Sequence, residues 1–171
     1  MNTVTDPTIE AFRQTLDRLD SINSQLRTLT ITILRADELP GLIGRCRYPS
    51  DSQWLREEQA TIGQPVALRI RRSQLESELR QVNAVIGEQL RAAIEAATAQ
   101  VIAAAGGAEA ARVFPLALRV QADLIRHRAI PPTASPTARH VFLGQAWMSI
   151  DAAMATLHEI RFYSRKRNSS S

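Results

Sequence analysis

A single cysteine, Cys46, is present, so no intrachain disulfide can form, and the chain suits a reducing, cytoplasmic setting. Aromatic residues are scarce at 5 %. With alanine abundant, that scarcity argues against a sandwich of strands and for closely packed helices with thin cores. No apolar run of about 18 residues occurs, so nothing reads as a membrane span. The alanine-rich stretch from Ala92 to Ala105 is interrupted by Glu95 and Gln100. Met1 to Glu10 lacks the basic start and apolar run of a secretory signal. Lysine is nearly absent as well: Lys166 is the only one, and arginine supplies the rest of the positive charge.

Several chemistries lack their parts. His127, His140 and His158 have no metal-ligand spacing, and there is no cysteine pair, so no metal or cofactor is expected. The glycines are scattered and form no phosphate-binding loop. Asp151 and His158 stand seven apart on one helical face, which places them together but supplies only half of a site. Cys46 lies between Arg45 and Arg47 with no identifiable base, so it reads as an idle thiol. The protein is expected not to be an enzyme; a site built on Cys46 or His158 is the least supported alternative.

What the sequence does contain is helical periodicity. Ile9, Phe12, Leu16, Leu19, Asn23, Leu26, Thr30 and Ile33 step alternately by three and four, as do Leu143, Trp147, Ile150, Met154 and Leu157. Only an α-helix brings such positions onto one stripe. Asp6 and Pro7 open the first helix as cap and first-turn proline, and its stripe runs to about Leu34. Thr28 to Leu34 also alternates polar and apolar, but no strand partner is evident. Asn23 is a polar residue at a core position of the kind that sets register, and neighbouring Ile22 is its apolar substitute.

Pro40, Gly41, Gly44 and Pro49 predict a connecting segment, followed by a short helix capped by Ser50 or Asp51 and carrying Trp54 and Leu55. Trp54 either anchors this helix to the bundle or serves an interface. After Gly63, Pro65 starts the longest helix, reaching about Ala105, with Leu68, Leu75, Leu79, Val82, Ile86, Ala93 and Ala96 in line. Val85, Leu90, Ile94 and Val101 broaden that stripe, so more than one neighbour must pack on it. At 1.5 Å per residue the helix would be about 60 Å long. Gly106 and Gly107 end it. Another helix, with Pro115 early and Leu116, Leu118, Val120 and Leu124 apolar, stops near Arg128. Ser135 and Pro136 begin the last helix, to about Arg165.

The expected fold is therefore all-α: an elongated antiparallel bundle of about four main helices and one short one, in a single domain over 1–171. Residues 1–5 and 168–171 are expected to be flexible tails. The net charge of +4 is a mild basic excess and does not by itself indicate nucleic acid. A GC-rich genome accounts for arginine over lysine as readily as selection for bidentate contacts does. With neighbouring helices antiparallel, Arg45, Arg47, Arg69, Arg71, Arg72, Arg126, Arg128 and Arg139 would gather at one pole, joined by His127 and His140. Arg161, Arg165, Lys166 and Arg167 would mark the other. Such a pole suits RNA or DNA phosphates without base specificity, with Tyr48 or His140 as the ring that would stack on an unpaired base. Glu57, Glu58, Glu76 and Glu78 lie near enough to neutralise it.

The sequence-based expectation is thus an accessory subunit of a larger assembly that binds RNA or DNA phosphates. Its alternative is an oligomeric, coiled-coil-like scaffold or adaptor whose arginines only solubilise it. The partners expected are RNA or DNA, further copies of the chain or other proteins, and no membrane.

Overall fold

The computed structural model describes residues 6–131 and 133–168, with side chains through Arg161. Six helices account for nearly all of it: α1 (Pro7–Ile43), α2 (Pro49–Ile62), α3 (Pro65–Ala104), α4 (Ala108–Val113), α5 (Pro115–Arg126) and α6 (Pro136–Asn168). Among the described residues there is no strand, so the fold is an all-α helical bundle. No helix of the described residues is long and apolar enough to cross a membrane. The terminal tails, residues 1–5 and 169–171, lie outside the described residues, whereas Asn168 closes α6.

The chain packs as two compact units, Met1–Leu16 with Ala84–Ser171, and Asp17–Asn83. Both divisions fall inside helices, within α1 and within α3. No proline, glycine or polar linker marks them, which is why the sequence reads as undivided.

Several helix ends follow local chemistry. The Thr8 amide donates to Asp6 Oδ1 at 2.8 Å, so Asp6 caps α1 ahead of Pro7. That bond is the leading cause holding the Asp6 carboxyl below its ordinary pKa. Ser135 caps α6 in the same manner, accepting from the Ala138 amide at 3.2 Å. Gly106 and Gly107 close α3 with φ of 89° and 109°, a region disfavoured for other residues. The Gly107 amide reaches back to the Ile102 carbonyl at 2.9 Å.

Other ends differ from the sequence reading. α1 does not stop before Pro40 but runs through it to Ile43. Ala36 and Leu39 continue the buried stripe past Ile33, at 4 % and 0 % exposure, and their burial holds the last turns helical. Pro40 itself faces solvent. α2 begins at Pro49, with Tyr48 as its N-cap residue and no side-chain cap from Ser50 or Asp51. Ser50 Oγ instead donates to Asp51 Oδ1. The one helix expected between Gly107 and about Arg128 is two: the extended backbone at Phe114 divides α4 from α5, and Pro115 lies, as expected, at the start of the latter.

In the unit of Asp17–Asn83, α1 and α3 run antiparallel. Arg18 meets Glu78 at 3.6 Å, and Arg69 meets Asp37 at 2.8 Å. The core here is Leu19, Ile22, Ile33, Ala36, Leu39, Leu55, Leu75 and Val82. Ile22, not Asn23, takes the buried position. The Thr28–Leu34 segment is helical, and its threonine hydroxyls bond back one turn, Thr30 to Leu26 O and Thr32 to Thr28 O. Leu55, not Trp54, fixes α2: Trp54 is 61 % exposed.

α2 is also tied to α1 by Arg35, which donates from Nε and Nη2 to the two Glu58 oxygens at 2.7 and 2.8 Å. These bonds hold the Glu58 pKa below its ordinary value, against a smaller opposing push from burial. A carboxyl depressed in the fold adds stability above its unfolded pKa and loses that contribution as pH falls through its folded pKa. Glu58→Gln should therefore lose less melting temperature than the wild type between about pH 6 and about pH 3. Parallel acid titrations of the two proteins by circular dichroism check this; identical slopes would show that the pair contributes nothing.

In the other unit, Ile9, Phe12 and Leu16 of α1 are buried with Ile86, Leu90, Ala93, Ile94, Ala97 and Val101 of α3. α5 contributes Ala117, Val120 and Leu124, and α6 contributes Leu143, Ala146, Ile150, Ala153 and Leu157. The α6 stripe is thus centred on two alanines. Trp147 and Met154, expected at its centre, are half-buried beside it. The Trp147 ring tilts against Phe12, with centroids 6.3 Å apart.

Candidate functional site

The eight arginines of the expected pole divide between the units. Arg45, Arg47, Arg69, Arg71 and Arg72 belong to Asp17–Asn83, and Arg126, Arg128 and Arg139 to the other unit. The end of α5 meets α3 in that helix's second half, not at its start, because Arg128 donates to Glu95 at 3.4 Å.

Within Asp17–Asn83 part of the positive charge is matched: Arg18, Arg35, Arg69 and Arg72 meet carboxylates. Ten arginines there face nine carboxylates. Arg69 donates to both Asp37 oxygens at 2.8 Å, and Arg72 pairs with Glu76 at 2.9 Å. Arg71 donates to Gln25 Oε1 at 3.3 Å. Glu78 serves Arg18, Glu58 serves Arg35, and Glu57 accepts from Gln53. Exposed pairs of this type stabilise little, about 0–1 kcal/mol each, but they occupy the guanidinium edges that a phosphate would use.

Arg45 and Cys46 both turn back onto the end of α1. Arg45 Nε donates to the Gly41 carbonyl at 3.1 Å and Cys46 Sγ to the Leu42 carbonyl at 3.4 Å. The Leu42 carbonyl also accepts from the Arg45 amide at 3.1 Å, so these bonds gather at the carbonyls of the helix end. Arg47 is exposed and forms no ion pair among the described residues. Tyr48 beside it is 67 % exposed. A groove of about 360 Å³ lies in the same unit, walled by Ala36, Leu39, Ile62 and Pro65 with Arg56 and Gln59 at hand.

In the other unit Arg126 pairs with Asp123 at 2.9 Å. Arg139 Nε and His127 Nδ1 are buried without a partner, and the His127 ring meets the edge of Phe142 at 5.5 Å. His140 and His158 are exposed, as is Asp151. The side chains of Arg165, Lys166 and Arg167, expected at the opposite pole, lie outside the described residues. No cluster of three metal-ligating side chains occurs among the described residues.

The arrangement that the sequence reading missed is on α5. Of the apolar residues expected on this helix, Leu116 and Leu118 are 51 % and 40 % exposed, while Ala117 between them is buried. The signal was present: Ala117, Val120 and Leu124 step by three and four, and Leu118 and Ile125 repeat at seven on a separate face. α5 is therefore apolar on two faces, of which the core covers one.

Fold and surface together define a helical bundle whose exposed features are apolar helix faces and arginines of which several are paired with carboxylates. No protein family, no curated protein and no solved structure matches the chain.

Proposed function

We propose that this protein is a non-enzymatic helical adaptor, working in a larger assembly in the reducing cytoplasm by docking other proteins on its exposed helix faces. The observation that carries the reading is the second apolar face of α5, where Leu118 and Ile125 are 40 % and 56 % exposed. Apolar side chains repeating at helical spacing on a helix already packed along a neighbouring face suit a partner helix. The pairing of Arg69, Arg72, Arg126 and Arg128 with carboxylates speaks in the same direction, since paired arginines have less to offer a phosphate backbone.

Binding of RNA or DNA phosphates is the second reading, favoured by Arg47, which has no ion pair among the described residues, and by exposed Tyr48 beside it. Light scattering on nuclease-treated protein, with and without mixed-sequence RNA over a salt series, separates the two. The adaptor reading expects a mass indifferent to RNA at every salt concentration. A complex that dissolves steeply with salt, and is lost on Arg47→Glu, would replace it with phosphate binding.

A further inference from the structure

We infer that the groove between α1 and α2 in the Asp17–Asn83 unit binds a small amphiphilic carboxylate, an apolar chain or ring bearing one anionic head. This goes beyond the adaptor reading, which stands on α5 and does not depend on the groove. Ala36 and Leu39 wall the groove from α1, and Ile62 and Pro65 wall it from either side of the turn between α2 and α3. Gly63 makes that turn with φ of 86°, a region disfavoured for other residues, and its amide donates to the Gln59 carbonyl at 3.2 Å. The volume of about 360 Å³ falls within the range of small-molecule sites, about 300–1,000 Å³. One turn of a partner helix, about 5.4 Å long and about 10–12 Å across, already exceeds it.

Arg56 supplies the charge that selects the ligand. It lines the groove, and among the described residues no carboxylate does. Arg56 has no ion pair among the described residues. Its neighbours one turn away on α2 are Ser52, Gln53, Gln59 and Ala60, none of them acidic. The carboxylates of the adjoining turns are engaged elsewhere: Glu58 with Arg35, Asp37 with Arg69 and Glu57 with Gln53. Arg56 therefore stands unneutralised beside an apolar hollow, unlike the paired arginines of this unit. One guanidinium presents two parallel N–H donors, the complement of a single carboxylate. A phosphate dianion calls for more than one cation, and among the described residues Arg56 is the only cation lining the groove. Gln59 lines it too and offers an amide donor to a carboxylate oxygen. A neutral apolar molecule leaves the guanidinium unanswered, and a bare small anion leaves the walls in water.

The test titrates the full chain with octanoate, octanol, octylamine and acetate at neutral pH, by isothermal titration calorimetry. Octanoate should bind about tenfold more tightly than each of the other three or better, because it alone answers both Arg56 and the apolar walls. Arg56→Gln should weaken octanoate binding about tenfold, to the level of octanol, and leave octanol binding unchanged. Ala60→Phe, which places a ring in the groove, should weaken octanoate and octanol alike. Both positions are exposed, so the melting temperature without ligand should stay within a degree or two of the wild type in each variant. Equal affinity for octanoate and octanol, or an octanoate affinity that survives Arg56→Gln, would overturn the anionic ligand. Equal affinity for octanoate and acetate would reduce the site to surface charge. Binding unaltered by Ale60→Phe would place the ligand elsewhere, and no saturable binding of any of the four would remove the groove as a ligand site. Each of these failures leaves the adaptor reading on α5 standing.

Discussion

Phe12→Ala should destabilise the unit that contains α5 and α6 by about 3–5 kcal/mol, the usual result of deleting a fully buried aromatic ring. Phe12 has 0 % exposure and its ring lies 6.3 Å from that of Trp147, so the substitution removes apolar burial and a ring–ring contact together. The cavity would open beside Trp147, because Phe12 reaches it from α1 while Ile150 and Leu143 hold α6 from the same stripe. A denaturant titration followed by tryptophan fluorescence gives both readouts. Trp54, at 61 % exposure, contributes a signal already close to that of water, and Trp54→Phe isolates the Trp147 response. A loss below about 1 kcal/mol would mean that neighbouring side chains collapse into the space, and that Phe12 is no keystone.

The second large effect concerns the end of α1, where neighbouring residues should change stability in opposite directions. Leu39→Ala empties a position of 0 % exposure and should cost about 2–5 kcal/mol. With that anchor gone, the turns beyond it should fray. The Gly44 amide, which donates to the Pro40 carbonyl at 3.1 Å, should lose its protection from hydrogen exchange. Pro40→Ala should do the reverse. It restores an N–H opposite the Ala36 carbonyl and relieves a ring that helices resist, with a gain bounded by the roughly 3 kcal/mol that an interior proline costs. Pro40 is exposed, so no packing is lost. Chemical denaturation of both variants decides the matter: a Pro40→Ala protein less stable than the wild type would show that the proline acts mainly by restricting the unfolded chain.

These two sites also mark how far the sequence can be read. Asp6 with Pro7, Gly106 with Gly107, and Ser135 with Pro136 announce helix ends because capping and positive φ are properties of one or two adjacent residues. Ile9, Phe12, Leu16 and Leu19 announce a buried face because periodicity is local too. Pro40 misleads for the converse reason. A proline and a following glycine favour a break by about 3–4 kcal/mol, and the burial of Ala36 and Leu39, invisible without neighbours, outweighs it.

On α6, two interleaved series both satisfy the helical repeat, one through Trp147 and Met154, the other through Ala146 and Ala153. Hydrophobicity favours the larger pair. Close approach of the neighbouring helices favours the smaller, which are 0 % exposed. The same choice recurs on α5, where Ala117 is buried and the two leucines beside it are exposed.

What the sequence by itself determined is the all-α class, most helix boundaries, the single free thiol and the abundance of arginine, since each follows from composition or from contacts within a few residues. Tertiary structure decided which of two competing stripes faces inward, which arginines find carboxylates, and which apolar face of α5 is left to solvent. Arg69 reaches Asp37 across 32 positions of sequence and Arg128 reaches Glu95 across 33. Such pairings depend on the register between helices, which is set by the packing of side chains far apart in the chain and has no local signature.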